Sequence, residues 1–156
     1  MKRNVFVAVL VAAFGWASMG DATAAGPFMV TADIDVGSGA TINMMGSGGM
    51  GGSFMTGGGP MMDLDDHQFG VMMYSTMSAT MPGMMGGQTL QQRMMSFQIP
   101  GGGTVLGMMA GGSPWMGGEG IIMGGTGGAQ GMSGTFTVGN QVGPTRYRFT
   151  FRYLLP

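Results

Sequence analysis

Methionine is the residue type in this sequence with the greatest capacity for chemistry. The chain has 22 methionines, no cysteine and one histidine. Many of the methionines stand in adjacent pairs, namely Met44-Met45, Met61-Met62, Met72-Met73, Met84-Met85, Met94-Met95 and Met108-Met109. Thioether sulfur is a soft, uncharged ligand that prefers Cu(I) to Zn²⁺, Mg²⁺ or Ca²⁺. Because a thioether needs no deprotonation, it tolerates acidic surroundings better than thiolate or imidazole does.

The predicted copper ligands come from a glycine-rich segment at about 44–62 and from the two methionine pairs that follow it, with the single histidine added. Glycine lets the backbone fold closely around an ion, whereas adjacent methionines in one strand point to opposite faces of the sheet. The expected cofactor is copper(I). The predicted ligands are Met44, Met45, Met50, Met55, Met61, Met62, His67, Met84, Met85, Met94 and Met95.

Methionine also has two roles without metal. It fills irregular gaps in a core, and its reversible oxidation can intercept oxidants. For the strand methionines Met73, Met77 and Met123 we expect core filling rather than metal binding.

The histidine lies in an acidic segment, Asp63-Leu64-Asp65-Asp66-His67, which follows Met61-Met62 directly. Such a mixed set could hold Cu(II) or another divalent ion. A solvated acidic turn explains the same residues, because clustered charges usually lie at the surface. We favour the turn.

Residues 1–25 are predicted to be a secretory signal peptide. Lys2 and Arg3 precede an apolar stretch at 5–16, and a small-residue Ala-x-Ala cleavage site follows at 22–25. The apolar stretch is shorter than the roughly 20 residues that a membrane-spanning helix needs. We therefore expect residues 26–156 to form a single domain in the periplasm or outside the cell, with no membrane span after cleavage.

Charge and residue types argue against several classes of function. Six Lys and Arg residues and a net charge of −1 leave too few cations to neutralise a run of phosphates, so nucleic-acid binding is disfavoured. One histidine and no cysteine provide no Ser/His/Asp or Cys/His set. No pair of carboxylates stands out, and the residues themselves give enzymatic activity no positive support.

Alternating apolar and polar residues predict an all-β protein. Segments 28–36, 70–81 and 145–154 alternate with a period of two. Glycine turns at 100–103 and 124–128 predict two hairpins. The glycine-rich stretch at about 44–62 is predicted to be a mobile loop. About eight short strands can close into a small antiparallel β-barrel with long Gly/Met-rich loops, and a closed barrel leaves no unpaired edge.

The C-terminal part resembles the dirigent and allene oxide cyclase-like barrel proteins. The similar residues are EGIIMGGTGGAQGMSGTFTV at 119–138, FQIPGGGTVLG at 97–107 and RFTFR at 148–152. The resemblance implies an eight-stranded antiparallel barrel with an apolar interior able to hold a small ligand. It also implies a homo-oligomer, as plant members often form. Glu119 and Asp33 are positional candidates for the acidic active-site residues of that family.

These patterns are compatible with three functions. The first is an exported barrel that binds or buffers copper(I) through thioether clusters and exchanges the copper ion with another copper protein. The second is a dirigent-like barrel that binds or acts on an apolar small molecule. The third is a structural or surface-assembly protein whose Gly/Met loops mediate contacts. The first is the main hypothesis.

Overall fold

The computed structural model describes residues 27–37, 40–45, 51–80, 89–110, 115 and 117–155. Nine antiparallel strands account for most of these residues, and no helix occurs among them. The strands are β1 (Phe28–Asp35), β2 (Ala40–Met45), β3 (Gly51–Met62), β4 (Gln68–Thr80), β5 (Thr89–Ile99), β6 (Gly103–Ala110), β7 (Glu119–Gly127), β8 (Ser133–Gln141) and β9 (Arg146–Leu154). The predicted signal peptide lies outside the described residues.

Eight of the nine strands close into a barrel. The order around it is β1-β9-β8-β7-β6-β5-β4-β3, and a short β1–β3 ladder joins the two ends. In that ladder Asp33 lies opposite Met62 and Ile34 lies opposite Met61. Strand β2 is outside the ring and pairs with the first half of β3. The prediction of an all-β, eight-stranded antiparallel barrel is confirmed.

The predicted loop at 44–62 is wrong where the structure describes it, because Met44 and Met45 end β2 and residues 51–62 form β3. Strand β3 pairs with β4 along one edge and with β2 and β1 along the other. These backbone hydrogen bonds offset the conformational cost of the glycines. A Cβ at Gly58 would overlap the carbonyl oxygen of Met72, and one at Gly59 would overlap that of Asp35. Here glycine marks a close approach of backbones rather than a loop.

Alternate residues of β1 and β9 fill the barrel interior as the sequence predicts. Val30, Ala32 and Ile34 of β1 are buried, and so are Phe149, Phe151 and Tyr153 of β9. The rings of Phe97, Phe136, Phe149 and Phe151 form one cluster, with centroids 5.0–6.2 Å apart. The apolar cavity at one end of this core has a volume of about 30 Å³, which is room for about one water molecule.

The core-filling expectation for three strand methionines is wrong. Met73 and Met77 of β4 are 54% and 57% exposed, and Met123 of β7 is 47% exposed. The inward face of β4 instead carries Met72, Tyr74 and Thr76. Both faces of this strand carry methionine, so alternation alone does not reveal which one is buried. The ring of Tyr74 packs edge-on against Trp115 with centroids 4.7 Å apart, and this contact belongs to the inward face.

Candidate thioether site

The structure separates the predicted copper ligands that it describes. Met61 and Met95 are buried in the core at 3% and 2% exposure, whereas Met94 is 52% exposed on the outer surface. Met94 and Met95 therefore lie on opposite sides of the barrel wall, and one ion cannot bind both. Met55 is partly buried and accepts a hydrogen bond on its sulfur from the hydroxyl of Tyr74, at 3.8 Å.

The remaining predicted methionine ligands divide into two groups. Met62 is partly buried at the β1–β3 ladder. For Met44 and Met45 the structure gives the position of the backbone at the end of β2. Met50, Met84 and Met85 lie outside the described residues.

His67 belongs to an ordered acidic turn between β3 and β4. One oxygen of the Asp63 carboxylate accepts hydrogen bonds from the backbone N–H groups of Asp65 and His67, both at 2.9 Å. The other oxygen lies 3.4 Å from His67 Nδ1. Burial acts to raise the pKa of Asp63, but these hydrogen bonds and the nearby imidazole together outweigh burial and lower that pKa below its ordinary value. In the described part of the chain, no three His, Cys, Asp or Glu side chains are grouped to hold a metal ion.

The register of β4, β5 and β6 places four methionines at neighbouring positions on the outer surface. Met94 lies directly opposite Met108 of β6 on one side and opposite Ser75 of β4 on the other. Met73 and Met77 flank Ser75 on the same face of β4. Cβ atoms of opposed residues are about 5 Å apart, and diagonal neighbours are about 7–8 Å apart. Met94 thus has three methionine neighbours, and we call these four residues the outer methionine cluster.

The thioethers of this cluster are accessible. Met73, Met77 and Met94 are 52–57% exposed, and Met108 is partly buried. Met73 and Met94 line a surface groove of about 660 Å³, together with Met123 of β7. Methionine is unbranched and flexible, so neighbouring side chains can turn their sulfur atoms toward a common point.

Two of the sulfur atoms already accept hydrogen bonds. Gln92 Nε2 donates to Met108 Sδ at 2.9 Å, and Gln98 Nε2 makes a longer contact of 3.9 Å with Met73 Sδ. The sulfur lone pairs are therefore directed to the surface, where a soft cation can replace the amide donor.

The outer face of β4, β5 and β6 carries no charged side chain among its described residues. Besides methionine it has Val, Leu, Ala, Ser, Thr and Gln. Ion pairing occurs elsewhere on the barrel, where Arg148 of β9 holds Asp33 of β1 through two hydrogen bonds of 2.8 and 2.9 Å. A face without carboxylates offers little to hard cations, whereas its thioethers suit soft ones.

Reasoning from the sequence missed this cluster because it treated the strands separately. A usable signal was present in the glycine turn at 100–102, which pairs Ile99 with Gly103. A hairpin turn fixes the register of its two strands. Counting back from that pair brings Met94 opposite Met108.

Comparison with solved structures identifies a protein with a similar fold. A solved structure named pyocyanin demethylase matches with a TM-score of 0.61 and 14% sequence identity, over 81% of this chain and 99% of that chain. No family model and no curated protein matches the sequence. Within the described residues, no helix is long and apolar enough to cross a membrane. The likeness to the solved structure shows that the two chains share a β-barrel fold.

Proposed function

We propose that this chain is an exported, methionine-rich β-barrel protein that binds or buffers copper(I) through thioether sulfur. The observation that carries the proposal is the outer methionine cluster, in which Met73, Met77 and Met108 surround Met94. Thioethers select soft ions such as Cu(I). The described surface around the cluster adds no carboxylate that would favour a hard metal ion.

This site differs chemically from one built on His67 and its neighbouring carboxylates. Thioethers bind without releasing a proton, whereas imidazole must be neutral to coordinate a metal. The affinity of the outer methionine cluster for Cu(I) is therefore expected to change little between about pH 5 and pH 7, the interval in which a histidine with an ordinary pKa titrates.

Export is part of the proposal. It is supported by the order of Lys2 and Arg3, the apolar stretch at 5–16 and the small residues at 22–25, which is the order of a secretory signal peptide. In the periplasm or outside the cell, an accessible site could pass copper to another copper protein, because its ligands lie on the surface and need no opening of the barrel.

Titration with Cu(I) under anaerobic conditions, against a chromogenic competing chelator, tests the proposal. Met94→Leu removes the central thioether and should weaken binding at least tenfold, or about 1.4 kcal/mol. Met95→Leu is the matched control, since it makes the same exchange one residue away on the buried side of the wall. Equal affinity of the two variants, or failure of the unmodified protein to take copper from the chelator, would refute the proposed site.

We infer, as a second candidate, a member of the dirigent and allene oxide cyclase-like superfamily that binds an apolar small molecule. Its support is the resemblance of residues 97–152 and the barrel shared with a protein named as a demethylase of pyocyanin. The cavity of about 30 Å³ within the apolar core is well below the roughly 300–1,000 Å³ of ligand pockets. A ligand of this kind would have to use the outer groove, so copper binding is the first proposal.

A further inference from the structure

Arg93 is a cation buried in the barrel interior. The residue is 7% exposed, and it projects from β5 directly opposite Thr76 of β4. Its guanidinium carbon lies 4.7 Å from the ring centroid of Trp115. Nη2 makes one long hydrogen bond of 3.4 Å to the side chain of Gln91, and Nη1 finds no hydrogen-bond partner in the described structure. The indole ring is thus the main group that offsets the charge.

No carboxylate in the described part of the chain pairs with this guanidinium. Asp33 binds Arg148, and Asp35 accepts a hydrogen bond from the backbone N–H of Gly37. The turn after β3 contains Asp63, Asp65 and Asp66. Glu119 is exposed in β7. Burial lowers the pKa of Arg93, and the nearby phenol of Tyr74 opposes this effect only when it is ionised, because burial also raises the pKa of Tyr74. An uncompensated buried charge is costly, so buried charges are normally paired.

A second unsatisfied group lies beside the first. Thr76 Oγ1 is buried and, like Arg93 Nη1, has no hydrogen-bond partner within the described residues. Since the two residues are opposed on the inward face, their Cβ atoms are about 5 Å apart. A guanidinium N–H and a hydroxyl O–H can therefore donate to the same acceptor.

We propose that Arg93 and Thr76 form a binding site for a monovalent oxyanion, specifically the carboxylate of a small organic acid. Guanidinium matches the planar carboxylate and donates two hydrogen bonds to it. A single cation neutralises a single negative charge, which favours a carboxylate over a phosphate dianion. Trp115 and Tyr74, whose rings meet edge to face, supply an apolar flank for the organic part of the ligand.

This site is independent of the outer methionine cluster. Arg93 and Met94 are adjacent in β5, so their side chains lie on opposite sides of the barrel wall. Loss of one function by substitution should leave the other unchanged. Failure of copper binding therefore does not decide whether the anion binds.

Trp115 supplies the readout for the test. The chain has two tryptophans, so in the full chain with Trp16→Phe all tryptophan emission comes from Trp115. Sodium benzoate, added at constant ionic strength, should change this emission saturably, because its carboxylate binds the group stacked on the indole. Benzyl alcohol, which has the same ring without the charge, should produce no saturable change.

Two further substitutions locate the anion. Arg93→Met replaces the charge with an unbranched apolar side chain and should weaken benzoate binding at least tenfold without lowering the unfolding temperature, because an unpaired buried charge is removed. Thr76→Val preserves the shape and removes one donor, so it should weaken binding several-fold. Undiminished benzoate affinity in both variants, no saturable change in the parent chain, or an equal response to benzyl alcohol would overturn the proposal.

Discussion

Gly120→Ala is expected to destabilise the barrel, because the new methyl group would occupy the space of the Phe136 ring. A Cβ at residue 120 would overlap the Cζ and Cε1 carbons of Phe136 and lie 2.7 Å from its Cε2. The ring is fully buried, and its centroid lies 5.8 Å from that of Phe97 and 6.2 Å from that of Phe149, so it has little room to withdraw. Overpacking of a core costs about 1–3 kcal/mol. The lower entropy of the unfolded alanine chain offsets about 0.4–1 kcal/mol of this, leaving a net loss of about 1–2 kcal/mol.

Urea denaturation followed by circular dichroism measures the effect. Gly139→Ala in β8 is the matched control, because its Cβ would lie 3.4 Å from the carbonyl oxygen of Arg148, an ordinary contact. This exposed substitution should change stability by less than about 0.5 kcal/mol. Combining Gly120→Ala with Phe136→Leu should recover at least about 1 kcal/mol relative to additive single effects. Equal stability of the two alanine variants, or a strictly additive cycle, would refute the packing explanation.

Two other predictions concern carboxylates that stabilise the fold. Asp33→Asn removes the carboxylate charge that pairs with Arg148 in the β1–β9 ladder. Because the arginine side chain is 45% exposed, solvent screens the pair, and the expected loss in the free energy of unfolding is about 1 kcal/mol. Urea denaturation measures this loss, and an unchanged stability would contradict the stabilising role of the pair. The pKa of Asp63 is lowered in the folded protein. The stabilisation of the fold by its carboxylate is therefore present above the ordinary pKa of 3.8 and is lost as the pH falls through the lower pKa of the folded state. Asp63→Asn should therefore be less stable than the parent at neutral pH, with the gap narrowing in strong acid, and a gap independent of pH would contradict this assignment.

The strands that face water on one side could be predicted from the sequence. In residues 30–36 and 146–153, apolar and polar side chains alternate, and residues 28–35 of β1 pair with residues 146–153 of β9. A half-buried strand must place its apolar residues on one face. Local pattern was sufficient because polar residues identify the solvent side.

The parts of the fold that depend on distant pairing could not be predicted in this way. Gly57, Gly58 and Gly59 carry the composition of a loop, yet they pair with Tyr74, Met73 and Met72 of β4. In β4, methionine occupies both faces, so its orientation follows from contacts of Tyr74 with Trp115 rather than from the alternation. The outer methionine cluster likewise depends on the register of three strands.

The burial of Arg93 also could not be predicted from the sequence. It stands between Gln92 and Met94, and an arginine in a strand is usually solvated. Its burial depends on Trp115, which lies 22 residues further along the chain and packs against the guanidinium in the folded barrel. A pairing between a charge and a distant aromatic ring leaves no periodic signal.

X-ray absorption spectroscopy of the full chain loaded with Cu(I) identifies the atoms bound to the metal, so it tests whether thioether sulfur holds the copper. Copper bound by the outer methionine cluster should show a first shell of sulfur alone, and the combined Met73→Leu, Met94→Leu and Met108→Leu variant should lose this signal while retaining the barrel. A first shell dominated by nitrogen or oxygen, or a sulfur signal that survives the triple substitution, would contradict copper binding by this cluster.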